Sequence, residues 1–157
     1  MVSDQKSRVE SREEGTGTPD SRLQTPDRGG KMEKKVVLRR NAPATDAPYS
    51  PAIIYGSLLF VSGQGPMDPK TKAIVSGSFE EELELTLQSL KNILEEAGSS
   101  MDKVLKVTVF LSRMEDYAKL NEIYKRYFIK DRPARTCIEA SRLPFDMKVE
   151  IEAIAAI

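Results

Sequence analysis

Arg132-Pro-Ala-Arg-Thr-Cys-Ile-Glu139 and Lys148-Val-Glu-Ile-Glu-Ala-Ile-Ala155 decide how this chain folds, because both read as strands and both carry charge inside an apolar pattern. Side chains alternate across a strand, so Arg135 and Cys137 share one face, about 7 Å apart, while Thr136 and Ile138 take the other. In the last segment Val149, Ile151 and Ala153 line one face, and Glu150, Glu152 and Ile154 line the opposite one. A guanidinium or carboxylate set into a sheet is costly unless it is paired or used. Two readings stay open at this level: an ion pair stitching strands together, Arg135 with Glu150 or Glu139, or a set of working groups.

Working outward, Val36-Val37-Leu38, Ile53-Ile54-Tyr55 and Leu58-Leu59-Phe60-Val61 read as three short strands, the last two a hairpin turned at Gly56-Ser57. Ser62 to Lys72 is rich in turn formers and reads as a loop. Ser78-Phe-Glu-Glu81 has capping-box spacing, and Phe79, Leu83, Leu87, Leu90 and Leu94 recur at three and four residues. That predicts an amphipathic helix to about Ala97, stopped at Gly98. Val104 to Ser112 reads as a half-buried strand with Leu105, Val107, Val109 and Leu111 on one face. Ser112-Arg-Met-Glu115 repeats the capping-box pattern ahead of a second helix with Tyr117, Leu120, Tyr124 and Phe128 on its stripe, and Asn121 falls on that face. Turn signals at Arg142-Leu-Pro144 return the chain to the last strand. The order predicts an α+β fold: a mixed sheet of about six strands with two helices on one side. The last strand is apolar on both faces near Ile154 to Ile157, so the open side of the sheet is expected to pack against other subunits.

With 157 residues, 39% hydrophobic and 31% charged, the chain suits one ordinary domain plus an extension. Residues 1–35 mix acids and bases with Ser, Thr, Gly and Pro and are expected to be a disordered leader, with Met32 an alternative start and 36–157 the domain. The 24 basic and 24 acidic residues cancel, so no net field favours a polyanion and nucleic acid is an unexpected partner. The absence of histidine removes the usual general base, the Ser-His-Asp and Cys-His arrangements and histidine-bearing zinc sites together. One cysteine and no Asp-x-Asp cluster leave no expected metal site. The lone Cys137 precludes an intrachain disulfide and suits a reducing compartment. There is no apolar run of about 18 residues, so a cytoplasmic rather than membrane-spanning protein is expected, with an organelle left open.

Arg135 presents a planar fork suited to a carboxylate, and Glu150 is a group that can orient or deprotonate water. Cys137 has no histidine to activate it, so its backbone matters more than its sulfur. Ser62-Gly63-Gln64-Gly65 lacks the full dinucleotide fingerprint and by itself reads as a turn. Tyr49, between prolines in Ala47-Pro-Tyr-Ser-Pro51, either staples a loop or covers a small ligand.

Together these residues resemble the reactive-intermediate deaminase (Rid) family of enamine/imine deaminases, in older descriptions translation inhibitors or single-strand ribonucleases. The strongest stretch runs from Arg132 to Ala155, with supporting matches at Asn41-Ala-Pro, Ala47-Pro-Tyr49, Val61-Ser-Gly-Gln64, Asp68-Pro-Lys70, Val107-Thr-Val-Phe110 and Asn121. The resemblance covers about Val36 to Ile157. It implies a chorismate-mutase-like fold and a homotrimer with its sheets facing a central barrel and each pocket lying between neighbouring subunits. It further implies that Arg135 binds the substrate carboxylate, Glu150 places the attacking water and the Cys137 backbone contacts the imine nitrogen. Tyr49, Ser62, Gly63, Gln64, Asn121 and Thr136 would line the pocket, Thr136 in place of a common serine. The loop before Arg132 is shorter than in many relatives. The implied reaction is hydrolysis of 2-imino acids, such as 2-iminopropanoate or 2-iminobutanoate, to 2-keto acids and ammonia without a cofactor. Alternatives are a carboxylate-binding or chaperone-like trimer without catalysis, and a single-strand ribonuclease. The enzymatic reading requires Arg135 and Glu150 to meet across a cleft shared by two protomers; their lying on opposite surfaces, or a lone protomer with no shared cavity, would defeat it.

Overall fold

A computed structural model describes residues 33–39 and 47–157. The leader, up to residue 32, and the Asn41-Ala-Pro match lie outside the described residues. Strands β1 (Lys35–Val37), β2 (Ala52–Tyr55) and β3 (Leu58–Gln64) form an antiparallel meander. The β2–β3 turn places Gly56 at φ 62°, a left-handed conformation that glycine adopts without a Cβ clash. Helix α1 (Phe79–Glu96), β4 (Val104–Leu111), α2 (Tyr117–Tyr127), β5 (Ala134–Glu139) and β6 (Val149–Ala156) follow. They complete one six-stranded sheet of order β1-β2-β3-β6-β4-β5, in which β4 and β5 run parallel and all other neighbours antiparallel. No helix among the described residues is long and apolar enough to cross a membrane.

The capping box at the head of α1 forms: the Ser78 hydroxyl accepts from the Glu81 amide at 3.2 Å, and the Glu81 carboxylate accepts from the Ser78 amide at 2.8 Å. From that start Leu83, Leu87, Leu90, Ile93 and Leu94 are wholly buried in one core with Val107, Val109, Ile151 and Ala153 of the central strands. Each such leucine contributes about 1.5–3 kcal/mol through lost water contact. Glu82, which the sequence offers as one more solvated acid, is also buried. Its carboxylate accepts from the Lys148 amide at 2.7 Å, the Lys148 ammonium at 2.6 Å and the Gly77 amide at 3.2 Å, tying α1 to the start of β6.

Three expectations are overturned. Ser62 to Gln64 is not a turn but the end of β3, where a bulge between Val61 and Gln64 shifts the pairing with β6. A second irregularity between Val104 and Lys106 turns Leu105 outward and seats Val104 in the core instead. Ser112 does not cap α2: its amide still pairs with the Lys148 carbonyl at 3.0 Å, and a 3-10 turn, Met114–Asp116, precedes the helix. As a result Leu120, Ile123 and Tyr124 face inward while Tyr117 is exposed.

Directly paired residues share a sheet face, and the pairing sorts the functional candidates. Val107 faces Arg135 and Ala153, and Val109 faces Cys137 and Ile151, so Arg135 and Cys137 belong to the helix-covered side. Phe110 faces Ile138 and Glu150, and Thr108 faces Thr136 and Glu152, so these belong to the uncovered side. There Val36, Ile53, Phe60 and Ile154 pair in one apolar row across four strands, with Val36 and Phe60 exposed.

Candidate active site

Arg135 projects from the edge strand β5 towards α2. Its Nη2 donates to Asn121 Oδ1 at 2.7 Å and to the Tyr117 hydroxyl oxygen at 3.3 Å, and its guanidinium lies 4.6 Å from the Tyr124 ring centre and 5.6 Å from that of Tyr117. Burial pushes the Tyr124 hydroxyl up to about 12, so that ring remains a neutral platform under the cation. Neither Glu150 nor Glu139 pairs with Arg135. Glu150 points to the other face, and Glu139 accepts from the Met114 amide at 2.7 Å. The strand-stitching ion pair is therefore absent among the described residues. The guanidinium is held by neutral partners at the side of a solvent-open hollow of about 720 Å³ lined by Met114, Tyr117, Arg135 and Cys137. Burial pushes the Cys137 thiol up, opposed only in part by Arg135, so the sulfur is protonated at neutral pH and a poor nucleophile.

The other candidates gather elsewhere. Glu150, on the uncovered face, lies over Gly63: a Cβ there would collide with Glu150 Oε1, so only glycine lets the carboxylate rest on the bulge. Burial first, and the neighbouring Glu152 second, push the Glu150 carboxyl above its ordinary value. Ser62 beside it donates from Oγ to the Ser50 carbonyl at 2.7 Å, and its amide donates to the Pro51 carbonyl at 3.1 Å, which fixes the exposed Tyr49 segment next to the bulge. The side chains of two further expected pocket residues are engaged within the chain. The buried Gln64 amide braces the bulge from beneath, donating to the Ser62 carbonyl at 2.7 Å and accepting from Arg39. Thr136 faces the uncovered side, where its hydroxyl accepts from Lys106 Nζ at 2.5 Å.

Within the chain the candidates thus form two groups on opposite sheet faces: Arg135, Cys137 and Asn121 on one, and Tyr49, Ser62, Gly63 and Glu150 around the other. Arg135 and Glu150 lie on opposite faces of the sheet, the arrangement that defeats an enzymatic reading confined to one chain. A site that uses both takes one from each of two copies. Sequence reasoning passed over Met114 and the Tyr117 hydroxyl, and weighed Glu139 only as an ion-pair partner of Arg135. The signal that would have found Tyr117 was its place four residues before Asn121 on the face turned to Arg135.

A six-stranded mixed sheet with two helices on one face and an arginine-lined hollow at its edge strand defines a chorismate-mutase-like α+β protein. The chain belongs to the endoribonuclease L-PSP family, whose model matches residues 39–157. A RutC family protein of Pyrococcus horikoshii is 50% identical over 122 residues, covering 78% of this chain and 97% of that one. TdcF of Escherichia coli K12, assigned provisionally as a reactive intermediate deaminase, is 38% identical over 125 residues, covering 78% of this chain and 96% of its own. Among solved structures, E. coli TdcF with bound serine superposes with a TM-score of 0.70 at 37% identity, covering 78% of this chain and 98% of that chain. The yeast protein YEO7 superposes at 0.73 and 40% identity, covering 79% and 98%.

Proposed function

We propose that this protein hydrolyses reactive 2-imino acids, such as 2-iminopropanoate and 2-iminobutanoate, to 2-keto acids and ammonia, as a homotrimer whose sites lie between subunits. The observation that carries the reading is the Arg135 guanidinium, half-buried, held by Asn121 and aromatic rings, without a carboxylate partner among the described residues. A cation so placed lacks the counter-charge that a small carboxylate supplies by a two-pronged contact. The serine bound to TdcF is an amino acid carrying such a carboxylate, which supports the same ligand class here.

With the substrate carboxylate on Arg135, the imine carbon lies over the Cys137 backbone. The partner subunit's Glu150 then accepts a proton from water as the oxygen attacks that carbon. Glu150 returns that proton to the nitrogen to give the carbinolamine; the hydroxyl proton then passes through the same carboxylate to the nitrogen as the C=O bond forms, the C–N bond breaks and ammonia leaves. Imines already hydrolyse in water, so positioning and one well-placed base suffice, and the raised affinity of Glu150 for a proton makes it a better base than an ordinary carboxylate. A single cysteine, which allows no intrachain disulfide, suits a reducing cytoplasm.

The test generates an imino acid in situ with an amino-acid oxidase and follows ammonia and keto-acid release against buffer. Arg135→Ala is expected to lose the acceleration, since truncating one partner of a charge pair costs about 2–5 kcal/mol. Turnover unchanged in that variant would overturn the role. The separation of Arg135 from Glu150 favours a second reading for an isolated protomer, a carboxylate binder without catalysis. Keto-acid binding with no acceleration at any protein concentration would select it.

A further inference from the structure

Three side chains on one face of β5 divide the work at the hollow. Arg135 fixes the middle of α2 through Asn121, Cys137 forms the floor, and Glu139 accepts the Met114 amide at 2.7 Å. Met114 opens the 3-10 turn ahead of α2, and Arg113, the residue in the capping position, offers it no side-chain acceptor. An unsatisfied amide at such a turn is a free hinge, and a carboxylate there both closes it and complements the positive helix end. Glu139 thus ties the Met114–Tyr117 wall to the strand that carries Arg135 and Cys137.

We infer that Glu139 is a positioning residue that sets the width of the slot between Met114, Tyr117 and Cys137, and through it the substrate side chains the site accepts. This rests on the functional reading above. With its carboxylate on Arg135, a 2-imino acid sends its side chain along β5 towards Cys137 and Met114. A thioether, a phenol ring and a thiol line that path, so the position at which Glu139 holds the Met114 wall governs how much room a γ-branched chain finds beside an unbranched one. Glu139 touches no substrate atom; its effect passes through Met114.

The experiment compares kcat/KM of the full chain for 2-iminobutanoate and 2-imino-4-methylpentanoate in wild type, Glu139→Ala and Glu139→Gln, with melting temperatures recorded. Binding of the corresponding keto acids, 2-oxobutanoate and 4-methyl-2-oxopentanoate, is measured in parallel by titration calorimetry. Glu139→Ala is expected to shrink the preference for the unbranched substrate by about tenfold, the scale on which an apolar pocket discriminates a methylene or two. The change should lie in KM for the branched substrate. Glu139→Gln, which keeps an acceptor oxygen, should restore the preference. A selectivity ratio unmoved in Glu139→Ala, in both turnover and binding, overturns the inference. If no imine is accelerated but the binding ratio shifts as expected, the enzymatic reading fails and the clamp stands. If neither substrate nor keto acid engages the wild type, both fall.

Discussion

Glu150 carries the least comfortable charge on the uncovered face. Its folded pKa is raised, chiefly by burial and then by Glu152, so the folded chain holds that proton more tightly than the unfolded chain does. Stability from such a group is fully present below the unfolded pKa and is lost as pH rises through the folded one. At neutral pH the ionised carboxylate is therefore a net cost to the fold. Glu150→Gln is expected to raise the melting temperature at about pH 7 and to change it little at about pH 3, where the wild-type carboxyl is already protonated. Calorimetry in the two buffers checks this; a lower melting temperature at neutral pH would mean that a partner stabilises the charge. The same variant should lose imine hydrolysis, since a carboxamide accepts no proton. Arg135 and Glu150 were legible because a period of two makes charge inside an apolar strand conspicuous. The same alternation put Thr136 on the face that Arg135 does not use, where it lies. Gln64 was read as part of a turn because the bulge before it hides the end of β3.

Helix α1 was readable from end to end because its cap, stripe and stop are local signals. Ser78→Ala removes the hydroxyl that accepts the Glu81 amide and is expected to cost about 1 kcal/mol, read as a shift in denaturant midpoint. The same four-residue pattern failed at Ser112 for a reason that local sequence does not carry. The Ser112 amide is committed to the carbonyl of Lys148, 36 residues ahead and just before β6, and the Met114 amide is taken by Glu139. Long-range partners overrode a local motif. The two strand irregularities were hidden for a related reason: one extra residue flips every following side chain, and only the partner strand shows where it was inserted. Hence Leu105 was placed inward and is outward.

If the chain assembles as proposed, the apolar row of Val36, Ile53, Phe60 and Ile154 is the surface available for association, and the two half-sites would give it a purpose. If each trimer site takes its guanidinium from one chain and its carboxylate from the next, inactive chains can complement each other. Arg135→Ala and Glu150→Gln, unfolded together in equal amounts and reassembled, should recover about one quarter of the wild-type sites by random placement around a three-fold ring. Ammonia release from the mixture checks this, against each variant reassembled alone. No recovery would assign both groups to one chain. The placement of Arg135 and Glu150 on opposite sides of a single sheet also bears on kinetics. Turnover would belong to the seam between polypeptides, and on serial dilution the specific activity of each chain should fall once the oligomer begins to come apart.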